Sequence, residues 1–575
     1  MNCPSRNDDT LQHPGWSQNP PPFSPDITTR NDFNGIVNSR VRRKNTTGTG
    51  TGTAIDDDTI SIDTRSLSRQ DSDPGTEKTP GEVAATSGCK TPTRASGPPR
   101  RPFKDFISSN ALHCARSVAK FGRFIGPGFL IAVAYIDPGN YSTDVAAGAS
   151  YKYALLFIVL LSNLFAILLQ SLCIKLGSVT GLNLAENCRA HLPRWLVYFL
   201  YFLAEAAIIA TDIAEVVGSA IALNLLLKIP LVAGCAITLV DVFFLLLFWR
   251  PNGSMMGLRL FEFFVMGLVL AVVVCFCIQL SLIKGQSVGE VFRGYLPSSA
   301  IVQSEGLYQS CGILGATVMP HSLFLGSGVV QSRLKDFDVS AGYVETTVPV
   351  GSTGGEVEYR PTIHAIRSCM KYSIIELSLA LFTFALFVNS AILIVAGASL
   401  SDVPDSSSAN LFGIHKLLSS SISPAAGLVF ALALLLSGIS AGIVCTMAGQ
   451  MVSEGMLNWS IQPWLRRVIT RSISIIPSII VAAAVGKEGL DKTLNASQVV
   501  LSVILPFVSA PLIWFTCFNR YMSVPIEQSG DGDSEEVQVV PMRNSLITSI
   551  IAVLVWLLIV IMNVALIVLT AMGKA

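Results

Sequence analysis

The chain has 575 residues, of which 51% are hydrophobic and only 14% charged, with a net charge of +1. Soluble chains carry about 25% charged residues, so a soluble globular domain is excluded, and a near-neutral chain has no electrostatic basis for binding nucleic acid. Apolar runs near 20 residues recur, the length needed to cross a bilayer, and they predict an all-α polytopic membrane protein.

The N-terminal stretch breaks that pattern. Met1 to Arg101 is rich in Pro, Ser, Thr, Gly and Asp and includes "TTGTGTGTA" at 46–54. Such a composition cannot bury enough apolar surface to fold alone. Residues 1–103 are therefore expected to form a disordered cytosolic tail, open to regulatory marks and to regulatory or trafficking factors. No apolar h-region marks a secretory signal peptide. Residues 104–575 form the predicted membrane domain.

Eleven spans are predicted, at about 124–149, 153–175, 196–220, 231–249, 258–282, 305–331, 372–398, 425–449, 467–486, 496–518 and 545–572. With the N-terminus in the cytosol, fourteen Lys and Arg fall in loops of the inner side against eight on the outer side, before the basic residues of the tail are counted. That bias predicts an inner N-terminus and an outer C-terminus. The loop 332–371 is long and polar and is expected to be mobile.

Two spans carry the same anomaly. Span 1 reads "GPGFLIAVAYIDPGNYS", with Asp137, Pro138, Gly139 and Asn140 in mid-span. An Asp in hydrocarbon costs about 2.5–3.5 kcal/mol, and Pro and Gly both break a helix. Span 6 reads "GILGATVMPHSLFLGSG", where Met319, Pro320 and His321 interrupt an apolar stretch. The breaks stand five spans apart, so their spans cross in opposite directions. That predicts a 5+5 inverted repeat, about 124–282 and 305–518, with discontinuous helices 1 and 6 and an extra helix at 545–572. Interrupted spans at matching places are the best sequence pointer to a transporter's central site.

The donors at the breaks point to a class of ligand. Carboxylate, amide and carbonyl oxygens suit hard cations, whereas a thioether favours softer, later ones. The mixed set fits divalent transition metals better than sodium, alkaline earths or an amino acid. Met319 alone also fits a packing role, and Pro320 alone an ordinary kink.

Span 3, "LAEAAIIATDIAEVVG", places Glu205, Asp212 and Glu215 near one helical face. The trio suits either a proton route or a structural ion-pair network. The twelve Cys form no C-x-x-C pattern and read as small buried apolar side chains.

The segments "AYIDPGNYSTDVAAGASYKYALL", "AEAAIIATDIAEVVGSAIALNLL", "GATVMPHSLFLGS", "TMAGQMVSEG" and "SQVVLSVILPF" resemble, in order, those of Nramp divalent-metal transporters. The "MPHSLFLGS" form is similar to the fungal branch, where manganese is the usual main substrate. The resemblance covers about 124–572. It implies proton-coupled import of Mn²⁺, Fe²⁺ and similar ions into the cytosol, no enzymatic activity and no resident cofactor. Plasma, endosomal and vacuolar membranes all stay open as the chain's location. Asp137, Asn140 and Met319 would be metal ligands, with the Ala316 carbonyl, Gln498 when the outer side closes, and the Tyr135 carbonyl as a weaker candidate. The implied proton pathway runs from Asp137, assisted by His321, through Asp212 and Glu215, with Glu205 in the same span. Arg471 would pair with Glu215.

Two departures from the family pattern stand out. Many members carry Asn and a second His where this chain has Ser322 and Gly326, and bacterial members have an Arg pair where it has Thr470-Arg471. Two other readings stay open: an inverted-repeat symporter for an organic substrate, which Met319 disfavours, and a non-transporting metal sensor or receptor on the same shell.

Overall fold

Helices make up most of the described residues. The computed structural model describes residues 126–238, 255–283, 285–343, 359–400, 410–458, 463–484, 486–526 and 538–573. The predicted tail, most of span 4 and residues 344–358 of the predicted 332–371 loop lie outside them. Eight of the described helices are long and apolar enough to cross a membrane: Leu156–Thr180, Arg194–Leu227, Arg259–Leu282, Ser304–Ser340, Ile363–Leu400, Pro424–Leu457, Gly489–Cys517 and Leu546–Ala571. They correspond to spans 2, 3, 5, 6, 7, 8, 10 and 11. Span 1 is split into Pro127–Val133 and Pro138–Tyr151. Span 9 lies in Pro463–Ala484, and span 4 begins at Leu231–Ile237. The count is consistent with the eleven predicted.

Several helices outrun their apolar runs. Spans 3 and 8 are each 34 residues long, about 50 Å at 1.5 Å per residue, against roughly 30 Å of hydrocarbon. The second half of span 6, Pro320–Ser340, continues past the predicted end at 331. The loop predicted at 332–371 is thus helical at its start, because Asp338 on the extension gathers the far end. Asp338 accepts from the Tyr359 hydroxyl at 2.6 Å and from the Thr362 amide at 3.0 Å. An antiparallel hairpin, Ser523–Ile526 with Gln538–Pro541, stands between spans 10 and 11. Hydropathy gave no signal for it.

The interior is largely apolar, as in a soluble protein, but the outer surface is apolar too and several ionisable groups lie inside. Phe202, Phe263, Ile550 and Leu554 are exposed, whereas Asp137, Asn140, Asp212, Glu215 and His321 are buried. Polar groups that face the bundle interior are the rule in membrane spans. Small residues let the helices around the breaks approach closely. A side chain at Gly218 would overlap Pro138, and one at Gly148 would meet the Leu393 carbonyl of span 7. Spans 3 and 8 lie antiparallel along their length: Ser219 lies against Gly438, the Cys445 thiol donates to the Ile208 carbonyl, and Ser453 donates to Glu205.

Candidate metal-binding site

The breaks have one local cause. Asp137 and Met319 each precede a proline, and the residue before proline is pushed out of the α region. Both are extended, Asp137 at φ −119°, ψ 166° and Met319 at φ −69°, ψ 125°. Each caps the half-helix that begins with its proline, Pro138 or Pro320, where the missing N–H costs nothing. The sequence thereby puts a carboxylate and a thioether residue at equivalent points of the two repeats.

The carbonyls freed by the breaks find partners, as buried carbonyls must. The Tyr135 carbonyl accepts from the Asn389 amide at 3.0 Å, and the Ile136 carbonyl from the Ser437 hydroxyl at 2.7 Å. The Met319 carbonyl accepts from the Ser322 hydroxyl at 2.8 Å. In the second half of span 1, Asp137 Oδ1 accepts from the Asn140 backbone amide at 2.9 Å.

Asn140 joins the two breaks. Its Nδ2 donates to Asp137 Oδ1 at 2.6 Å and to the Ala316 carbonyl of span 6 at 3.1 Å. Its Oδ1 faces the Asn389 amide at 3.4 Å and the Thr317 hydroxyl at 3.5 Å. Among the described residues, Asp137 Oδ2 and Gln498 Oε1 have no hydrogen-bond partner. Gln498 lies so close to Gly139 that a Cβ there would overlap its amide. Asp137, Asn140, Met319 and Gln498 are all at most 1% exposed, so the site is closed on every side.

Beside the breaks lies a second polar cluster. Gln170 Nε2 stands 2.9 Å from the Tyr135 hydroxyl and 3.0 Å from both oxygens of Ser322. A side chain at Gly326 would run into Gln170 Oε1. Ser322 and Gly326, the two departures noted in span 6, therefore act together: Ser322 binds the Gln170 amide and Gly326 leaves room for it.

The expected proton residues fall into two groups. His321 is buried, with Nδ1 3.4 Å from the Thr211 hydroxyl of span 3. Asp212 and Glu215 stand together with Cys445, whereas Glu205 accepts from Ser453 at 3.1 Å. All three acids thus lie along span 8. The side chain of Arg471 lies outside the described residues, although its backbone belongs to the span 9 helix.

Sequence reasoning missed four participants. Asn389 and Gln170 were lone amides in apolar runs. Asp144, two turns beyond Asp137, is fully buried with both carboxylate oxygens unpartnered among the described residues. Glu376 accepts from the Gly126 and Gly128 amides at 2.6 and 3.1 Å, and so holds the first turn of span 1. Its signal was a charge inside span 7.

A helical bundle with two broken spans, meeting at a buried carboxylate, amide and carbonyl, has close parallels among known proteins. The family model for natural resistance-associated macrophage protein-like chains, Nramp, matches residues 128–527. The manganese transporter SMF1 of Saccharomyces cerevisiae is 52% identical over 517 residues, covering 80% of this chain and 90% of its own. The iron transporter SMF3 of the same yeast is 50% identical, covering 76% and 94%. A crystal structure of the Eremococcus coleocola manganese transporter superposes with a TM-score of 0.62 at 33% identity, covering 76% of this chain and 85% of that one. On its motifs, its fold and these matches, the chain belongs to the Nramp family.

Proposed function

We propose that this protein is a secondary transporter that carries divalent transition-metal ions, Mn²⁺ first and Fe²⁺ beside it, into the cytosol together with protons. One observation carries the reading. Two buried oxygen acceptors, from different repeats, converge on the single donor group Asn140 Nδ2. A cation takes the place of that donor. Turning the Asn140 amide over brings its own oxygen inward, so that Asp137, Asn140 and Ala316 supply three oxygens. Met319, from the opposite break, supplies the soft sulfur that disfavours Ca²⁺ and Mg²⁺. Gln498, against Gly139, adds its unpartnered oxygen in the closed state. The Tyr135 carbonyl stays with Asn389 and shapes the site from behind.

Proton coupling follows from charge. A dication beside Asp137 favours its ionised form and expels the proton it holds. His321 stands next in line, with Thr211 leading to Asp212 and Glu215, and Arg471 as the basic partner beyond. Alternating access then requires the two polar seams to open in turn: Gln498–Gly139 toward the outside, Tyr135–Gln170–Ser322 toward the cytosol. The N-terminus and its tail lie in the cytosol and the C-terminus outside, in the plasma membrane or an endosomal or vacuolar membrane. The tail, residues 1–103, binds regulatory or trafficking factors. Transport, not enzymatic chemistry, is the activity.

The test is metal flux into proteoliposomes holding the full chain under an imposed pH gradient. Mn²⁺ and Fe²⁺ should enter faster when the outside is acidic. Equal flux with and without protein, or no response to the gradient, overturns the proposal.

A further inference from the structure

The structure gathers a second set of metal-ligating side chains, separate from the breaks. Asp212 and Glu215 of span 3 and Cys445 of span 8 are all buried, and one ligand atom from each lies within 4.8 Å of the others. Among the described residues, no other group of three such side chains comes together. Their placement follows from the antiparallel packing of the two spans. Asp212 and Glu215 are three residues apart, hence on one helical face, and the pairs Ile208–Cys445 and Glu205–Ser453 fix span 8 alongside that face. Gly218 marks the level of the broken helix, since it touches Pro138. At 1.5 Å per residue, Glu215 and Asp212 lie about 5 and 9 Å toward the N-terminal end of span 3 from there.

We propose that Asp212, Glu215 and Cys445 form a second metal site that takes thiophilic divalent cations, such as Cd²⁺ or Zn²⁺, in preference to Mn²⁺. Three protein ligands of type O, O and S with a water in the fourth place match a tetrahedral site. The thiolate sets the preference, because soft sulfur selects the later metals, while Mn²⁺ prefers all-oxygen surroundings. Two carboxylates and a thiolate more than neutralise the two charges of the ion, so the cation is not buried unpaired. Cys445 now donates its S–H to the Ile208 carbonyl at 3.8 Å. Metal binding releases that proton to the solvent, forms the metal–sulfur bond and breaks no other covalent bond.

The site has a functional consequence that rests on the proton route proposed above. A bound ion occupies both acids of that route, so a thiophilic metal inhibits uptake from a place where Mn²⁺ does not compete. The existence of the site does not depend on that route, and its test reads binding alone. Purified full-length protein is titrated with Cd²⁺ under a large excess of Mn²⁺, which fills the central site, and the ultraviolet cadmium–thiolate charge-transfer band is followed. Met319 is a thioether and gives no such band, and the other eleven cysteines are replaced by Ser in every protein compared, so that Cys445 is the single thiol. The protein that retains Cys445 should show the band. Cys445→Ser should lose it while still binding Mn²⁺ as the protein that retains Cys445 does, and Glu215→Gln should weaken it. A band that survives Cys445→Ser, or that Mn²⁺ removes from the protein that retains Cys445, overturns the proposal. Either result leaves the metal-flux test of the central site untouched.

Discussion

Gly139 and Gln498 touch across the two repeats, so closely that a methyl group on Gly139 would overlap the Gln498 amide. This contact places span 10 against the break of span 1 in the closed state. Gly139→Ala is expected to keep the fold, since Ala favours a helix over Gly by about 1 kcal/mol, yet to oppose closure. Overpacking costs about 1–3 kcal/mol, which disfavours the closed state by roughly 5–150-fold. Mn²⁺ uptake should fall accordingly. The double variant Gly139→Ala with Gln498→Ala removes the overlap, so closure, read as protection of an outer-side reporter cysteine from a water-soluble thiol reagent, should recover relative to Gly139→Ala alone even though the Gln498 ligand is lost. Wild-type uptake in the single variant would show that the two spans do not need to meet.

Asp137 is the only carboxylate at the breaks. Asp137→Ala should abolish Mn²⁺ uptake in vesicles. Asp137→Asn keeps the shape and the helix cap, so the protein should fold as before, but it removes both the charge and the exchangeable proton. Its uptake should be lost, and any residual flux should no longer rise as outside pH falls. Uptake that still tracks pH in Asp137→Asn would assign coupling to another group, with His321 the first to examine.

Met319→Ala leaves only oxygen donors. The remaining set is hard, and hard donors suit Ca²⁺ and Mg²⁺. Ca²⁺, which the sulfur ligand is expected to disfavour in the wild type, should then enter or compete with Mn²⁺ in flux assays. Continued exclusion of Ca²⁺ would place selectivity elsewhere.

The sequence showed the fold where physics acts locally. A proline forces the residue before it out of the helix wherever it stands, so Asp137 and Met319 could be read as a matched pair without coordinates. Contacts between distant spans could not. Asn389 lies in "LFVNSAILIV", where nothing local says that its amide will hold the Tyr135 carbonyl, 254 residues away. Gln170 gives no hint that it fills the space left by Gly326. Helix ends were misjudged for the same reason: hydropathy ends where polar residues begin, but Asp338 continues the helix because Tyr359 and Thr362 come to meet it. Cys445 looked like an apolar filler until packing brought it to Asp212 and Glu215.

Glu376 gives the last prediction. Its carboxylate accepts from the Gly126 and Gly128 amides, which open the short first half of span 1. A negative charge at a helix N-terminus is favourable, and these amides have no partner within their own helix. Nearby, Arg333 of span 6 pairs with Glu262 of span 5 at 2.5 Å, both buried, and a side chain at Gly126 would strike both. The first half of span 1 is thus held by spans 5, 6 and 7 together. Glu376→Ala removes the cap, at a cost of about 0.5–2 kcal/mol, and should shift the balance toward a state in which this half-helix swings free. That is a change of a few-fold to about thirtyfold in population. In a protein depleted of native cysteines, Ala134→Cys, buried in the closed state, should react faster with a water-soluble thiol reagent when Glu376→Ala is added. Glu376→Gln retains an acceptor oxygen and should fall between the two. If the reaction rate of Ala134→Cys is the same with and without Glu376, the carboxylate anchors the helix end but does not restrain its opening.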